Sequence, residues 1–464
     1  GGWLLVAAAA VAGEREASAH DVLDGIGLLV DHSLVRRSDD QGEPRFTMLE
    51  TIREYAAERL GAIGQVEATR RRHAAHYLAL AEAARGALTG AAQGAWVARL
   101  AREHANLRAA LAWALAAEAA TALRLAAALW RFWAMHGDLD EGRRALAAAL
   151  AAAGDGADGV ARGEALFGAG VLALQQADYA AAQGHLAARL PLARGAGDAA
   201  ATAATLTQLG HIAFRQGRYG PAREVYGEGL TLWRGLDDRR GGALALNGLG
   251  SVALALGECA EAATRYEESL ALFREQGDWD QVGITLCWLG RTRAEEGDVA
   301  AARVHYAESL ALYERLDKRH GSALPLLELG DLAHRQGDDR EALERYRASL
   351  ARFRVAGSTV RIVRCLEGFA GTLTALGRAA PAARLFGAAG ALRAGVGAPL
   401  QPIERAAHDR DVAAARAALG EAAFAAAQAA GAALPLDRAL DEALGPEVED
   451  SRLRTADCRF AGKG

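Results

Sequence analysis

The strongest constraint in this sequence is a match to itself. Four segments align without a gap: "LGHIAFRQGRYGPAREVYGEGLTLW" from residue 209, "LGSVALALGECAEAATRYEESLALF" from 249, "LGRTRAEEGDVAAARVHYAESLALY" from 289 and "LGDLAHRQGDDREALERYRASLARF" from 329, a period of forty residues. A unit of that length cannot bury an apolar face alone, so neighbouring copies must stack and share one core. The columns of the alignment say what each unit is. Gly210, Gly250, Gly290 and Gly330 fall inside a helical pattern. Glycine there costs roughly 1 kcal/mol relative to alanine, so its recurrence predicts another helix packed too close for a side chain. Gly217, Gly257, Gly297 and Gly337 then break the helix and predict a tight turn. Ala222, Ala262, Ala302 and Ala342 allow a close crossing. Tyr226, Tyr266, Tyr306 and Tyr346, followed by Leu230, Leu270, Leu310 and Leu350 at four-residue spacing, mark the buried stripe of a second helix. Weaker matches extend the ruler through Gly170, Ala182 and Leu190, through Gly137 and Leu150, and through Gly377, Ala382 and Phe386. Seven helical hairpins are expected over residues 121–396.

Composition agrees with an all-α solenoid, since alanine and leucine dominate and there are only nine prolines in 464 residues. The net charge of -5, without a long basic block, gives no general case for nucleic acid or anionic membrane as a partner. Lys318 and Lys463 are the only lysines, which removes most candidates for lysine chemistry. Cys259, Cys287, Cys365 and Cys458 form no C-x-x-C pair or metal-like spacing, as expected of a reduced, cytoplasmic protein. The opening "GGWLLVAAAAVAGE" is too short to span a bilayer and reads as a core helix near the start of a fragment.

The sequence carries no G-x-x-x-x-G-K-[ST] phosphate loop, no G-x-S-x-G elbow and no H-E-x-x-H helix, so neither enzymatic activity nor a cofactor is expected of this chain. His73 and His76 stand three apart without a clear third ligand and read as surface histidines, so no metal site is expected. Arg70, Arg71 and Arg72 read as a solvated helix start.

The ends of the chain follow other patterns. Within residues 1–61, a helix from about Ala19 to Val30 leads into "HSLVRR", a polar turn "SDDQGEP" and then "RFTM", two short antiparallel strands that a final helix closes. Helix, β-wing and helix make a truncated winged-helix domain. Residues 62–120 read as a helical linker, 397–445 as a helical cap and 446–464 as a disordered polar tail.

The Leu-Gly pair, turn glycine, small residue and aromatic of each unit resemble the tetratricopeptide repeat, TPR. The forty-residue unit is longer than the family's about 34 residues. Longer helices, or inter-repeat loops such as "RGLDDRRG" at 234–241, would account for the difference, and the family's helix-ending proline is absent. "LVDHSLVRR", "FTMLETIREYAAERL", "EHANLRAALAWAL" and the run from residue 419 resemble bacterial STAND regulators, the LuxR- or AfsR-like signalling ATPases related to NB-ARC proteins. That resemblance implies that this chain is the C-terminal part of such a regulator, with ATP or ADP held only on an upstream domain missing from it.

In NB-ARC relatives the position matching Met48, Leu49 and Glu50 carries a Met-His-Asp motif whose histidine senses nucleotide. Leu49 can neither donate a hydrogen bond nor carry charge, so the following helix is expected to serve packing and domain docking. Positions that face the groove in tetratricopeptide proteins map onto Thr207, His211, Arg215, Asn247, Ser251, Arg291, Glu295, Asp331, His334 and Arg335. Such a polar groove suits a protein or peptide partner, an inducer or the chain's own ATPase domain, with arginines gripping carboxylates. The resemblance therefore implies a non-catalytic interaction and sensor region that relays binding through the winged helix. A stand-alone adaptor is one alternative, and a DNA-binding regulator is another. Against direct DNA contact, Asp39, Asp40 and Glu43 in the wing would repel phosphate.

Overall fold

The computed structural model describes residues 2–12, 19–40, 43–89, 92–154, 156 and 158–445. The expected tail at 446–464 lies outside them. The chain divides into two compact units, Gly1–Gly197 and Asp198–Gly464.

The first unit opens with strand β1 (Trp3–Leu4), helices α1 (Leu5–Ala12) and α2 (Ala19–Asp31), the hairpin β2 (Val35–Asp40) and β3 (Glu43–Met48), and helix α3 (Glu50–Ala62). The strands form an antiparallel sheet in the order β1-β3-β2. Trp3 is in register with Phe46, and Val35 with Met48. This is a winged helix with two differences from the sequence reading. Trp3 and Leu4 extend rather than join the opening helix, because β3 offers them an edge. The strands also run through most of the expected turn, leaving Asp39 opposite Pro44 and Asp40 opposite Glu43. Ile26, Val35 and Phe46 bury the small core beneath.

Helices α4 (Val66–Ala87), α5 (Gln93–Arg102) and α6 (His104–Ala117) follow. The expected helical linker is packed rather than extended. Tyr77, Leu78, Leu100, Leu107 and Leu111 are buried, and α4 packs on α1, α6 and α7 (Ala119–His136). The alanine-rich face of α4, with Ala74, Ala81 and Ala84 fully buried, brings its neighbours close enough for this. Two hairpins complete the unit: α7 with α8 (Leu139–Ala153), and α9 (Gly159–Gln175) with α10 (Tyr179–Gly195).

The second unit contains five more hairpins: α11 (Ala199–Arg215) with α12 (Tyr219–Gly235), α13 (Arg239–Ala255) with α14 (Cys259–Gln276), α15 (Trp279–Glu295) with α16 (Val299–Arg315), α17 (Ala323–Gln336) with α18 (Asp339–Ala356), and α19 (Thr359–Ala375) with α20 (Ala379–Gly395). In the first of these, each helix has 17 residues and three residues connect them. Longer helices therefore account for the period. "RGLDDRRG" is not a loop, because only Leu236, Asp237 and Asp238 lie between helices.

Asp198, Asp238 and Asp278 each accept a hydrogen bond from a backbone N–H in the first turn of the following helix, satisfying a donor that the helix leaves open. Lys318 occupies the next position in this series, and α17 starts late, at Ala323.

The glycine column has a specific tenant. A Cβ at Gly210, Gly250, Gly290 or Gly330 would lie 2.8, 2.8, 2.6 or 2.9 Å from the ring of Tyr226, Tyr266, Tyr306 or Tyr346, sixteen residues later in the partner helix. All four rings are essentially buried. The missing side chain on one helix is thus the socket for an aromatic on the other.

The cap is α21 (Pro402–Leu419), α22 (Glu421–Ala432) and α23 (Leu436–Leu444). Gly387 of α20 and Gly431 of α22 let those helices cross backbone to backbone, since a Cβ on Gly431 would sit 1.8 Å from the Arg384 carbonyl oxygen. Helix α21 instead packs on α13, α19 and α20.

Candidate functional site

The first helices of all five hairpins in the second unit line one cavity of about 250 Å³. His211 and Arg215 come from α11, Asn247 and Ser251 from α13, Gln281 and Arg291 from α15, Leu324 from α17, and Arg361 and Arg364 from α19. Phe214, Leu244, Ile284 and Trp288 provide apolar wall. The arrangement follows from the repeat: the same face of successive first helices turns inward, so residues forty apart converge.

An adjoining cavity of about 430 Å³ shares Arg291 and Arg364 and adds Asp331, His334, Arg335, Glu404 and Asp411. Helix α21 reaches into this region. Gln401, which caps its N-terminus, donates a backbone N–H to Glu404 Oε2 at 3.3 Å, which leaves Glu404 Oε1 to face the groove. There Arg291 Nη2 donates at 2.8 Å and Arg364 Nε lies 3.3 Å away. Burial works against a charged Glu404, but Arg291 and Arg364 outweigh it and hold the carboxyl below its ordinary range. Arg364 also donates to Glu328 at 2.8 Å and to Asp331 at 2.5 Å. Further along, His334 Nδ1 lies 3.1 Å from Asp339 and its Nε2 3.5 Å from Asp411. Burial disfavours the imidazolium, yet the two carboxylates win and raise its pKa above the usual value.

The ten groove residues read from the sequence divide accordingly. His211, Arg215, Asn247, Ser251 and Arg291 line the smaller cavity, while Arg291, Asp331, His334 and Arg335 line the larger. Glu295 pairs with Arg335. Thr207 is buried: its hydroxyl donates to the Ala203 carbonyl and accepts from Trp233 Nε1 at 3.2 Å, so it belongs to the core rather than the groove. His211 is kept neutral, its pKa pushed down to about 4 by burial and by Arg215.

Sequence reasoning missed Arg361, Arg364, Gln281 and the groove-facing side of α21. The signal for Arg364 was present, because it interrupts the apolar column Ala204, Leu244, Ile284 and Leu324. Nothing periodic announces α21, which lies beyond the repeats.

In the first unit, Glu103 ties the winged helix to the helices. It is buried and paired with Arg45 of β3, and it accepts from Tyr77 Oη at 2.9 Å and Asn106 Nδ2 at 2.6 Å. Arg45 Nη2 also donates to the Gly2 and Arg102 carbonyls. Both Glu103 and Asn106 lie in "EHANLRAALAWAL".

The Met48-Leu49-Glu50 position behaves otherwise. Leu49 is 46% exposed, Glu50 pairs with Arg53 on the surface, and α3 buries none of its residues. A cavity of about 840 Å³ lies beside this helix, lined by Leu60, Ile63, Val11 and His73.

Fold and groove together define a helical-repeat protein that carries tetratricopeptide repeats and an N-terminal winged helix-turn-helix domain. Residues 201–275 and 281–355 match the family profile "Tetratricopeptide repeat", and residues 5–61 match "Winged helix-turn-helix domain". Among curated proteins the chain is similar to the "Putative HTH-type transcriptional regulator Rv0890c" of Mycobacterium tuberculosis and to its Mycobacterium bovis counterpart Mb0914c. Each is 41% identical over 143 residues, and the match covers 31% of this chain and 16% of the relative's length. Among solved structures it is similar in fold to a Rap protein complexed with Competence and Sporulation Factor, at 12% identity and a TM-score of 0.56, covering 80% of this chain and 99% of that one.

Proposed function

We propose that this chain is a non-catalytic recognition and sensor region of a bacterial signalling or transcriptional regulator. The observation that carries this reading is the cavity to which the first helices of five consecutive hairpins contribute. A partner protein or peptide docks there, and the winged helix relays the event to an ATPase core outside this chain, which alone holds ATP or ADP. The relatives named as transcriptional regulators support the setting. The fold neighbour seen with its factor supports the use of such an array for binding.

The test is site-specific photocrosslinking in cells. A photoreactive residue at Asn247 should capture a protein or peptide, and one at Val304, 64% exposed on the second helix α16, should not. Equal capture at both sites would remove the groove from the proposal. Equilibrium dialysis of the isolated chain should find no ATP or ADP retained.

Direct DNA reading is disfavoured by α2, the second helix of the helix-turn-helix. It exposes Asp21, Asp24 and Asp31 and contains neither arginine nor lysine, so it would meet phosphate with the wrong charge.

A further inference from the structure

The groove contains two pairs of arginines, and the protein itself shows what one of them binds. Arg291 and Arg364 hold the carboxylate of Glu404, delivered by α21. Arg215 and Arg361 line the same cavity on α11 and α19. Among the described residues, neither has a carboxylate within ion-pair distance. Burial and the nearby Arg215 instead raise the cost of a charge on Arg361 and bring its pKa down to about 10. The face of Arg361 lies 5.7 Å from the Phe353 ring. Cationic groups held together without an anion are an electrostatic debt that a ligand carboxylate would settle.

A third group narrows the ligand. Asn247 donates its Nδ2 to Thr285 Oγ1 at 2.8 Å, while its buried Oδ1 has no partner. A buried acceptor without a donor is costly, and a simple inorganic anion would leave that cost in place. An Asp or Glu within a peptide offers both complements, a side-chain carboxylate and a backbone N–H, and Phe214, Leu244, Ile284 and Trp288 would flank its neighbours with apolar surface.

We propose that the Arg215–Arg361 end of the groove seats the carboxylate of an acidic residue in a partner peptide, as the Arg291–Arg364 end seats the chain's own Glu404. This rests on the reading of the groove as the partner site and names the chemistry of the partner.

The experiment is a fluorescence-anisotropy screen of the full chain against a set of labelled twelve-residue peptides. Each acidic peptide is matched by a twin in which every Asp and Glu is replaced by Asn and Gln. Acidic members should bind and their twins should not. Arg215→Gln and Arg361→Gln should each weaken binding about tenfold or more, with Arg361→Lys retaining part of it. Circular dichroism of each variant checks folding, and Arg361→Gln should melt no lower than wild type because it removes a half-buried charge that has no carboxylate partner among the described residues.

Equal binding of the neutral twins, competed by the acidic members, would overturn the carboxylate assignment while leaving the groove reading intact. Acidic binding that ignores both substitutions, or that inorganic phosphate displaces at the same concentration from wild type and variants, would overturn it as well. Binding by no member would overturn it together with the groove reading.

Discussion

At the scale of single residues, the repeat is held by a small number of size and charge matches. Gly290 leaves room for Tyr306, whose ring would lie 2.6 Å from an added Cβ. Gly290→Ala would gain about 1 kcal/mol in helix propensity. It would also overpack an aromatic that is only 1% exposed, at a cost of about 1–3 kcal/mol. A net destabilisation of about 1 kcal/mol is expected, read as a lower urea midpoint. Glu103 is the equivalent in charge. Burial opposes its ionisation, but hydrogen bonds from Arg45, Asn106 and Tyr77 hold the carboxyl below its ordinary range. A depressed carboxyl stabilises the fold above its unfolded pKa, and that contribution disappears as pH falls through the folded value. Glu103→Gln should therefore cost about 3 kcal/mol near neutral pH by stranding Arg45. The gap between variant and wild type should close in acid, which unfolding measured at pH 7 and at pH 3 would show.

At the scale of elements, α21 is held by charge as well as by apolar packing. Glu404 and Asp411 fasten it to arginines and a histidine on the first helices of the repeats. His334 has its pKa raised despite burial, because Asp411 and Asp339 favour the imidazolium. A raised histidine stabilises the folded arrangement fully below its unfolded pKa of about 6.5, and the contribution is lost as pH rises through the folded value. Hydrogen exchange across residues 402–419, corrected for the intrinsic rate, should accelerate between pH 6.5 and pH 8.5 in wild type and be flat in His334→Gln. Glu404→Gln should loosen the same helix at every pH, since Arg291 would lose its partner in a site where only 5% of its side chain is exposed. If exchange in α21 ignored both substitutions, apolar packing alone would hold it.

At the scale of the whole molecule, each repeat buries its face only against its neighbours, so the last hairpin needs a cover. Helices α22 and α23 provide it over Leu385, Phe386 and Ala389, which are buried. A chain ending after residue 398 should therefore bind hydrophobic dye and aggregate on heating below the melting temperature of the longer chain. The existence of the hairpins was legible in the sequence because stacked identical units must repeat the same solution: a glycine socket, a tyrosine and a turn glycine every forty residues. The inward face of the first helices was legible for the same reason, which is why His211, Arg215, Asn247 and Arg291 reach one cavity. Periodicity describes contacts between neighbours, and it is silent wherever the chain meets itself only once. Tertiary structure alone decided how α4 to α6 bury their apolar faces, that Thr207 turns into the core, and that Trp3 and Leu4 pair with β3. It also decided that Glu404, 113 residues from Arg291, occupies one arginine pair and leaves Arg215 and Arg361 without a carboxylate among the described residues.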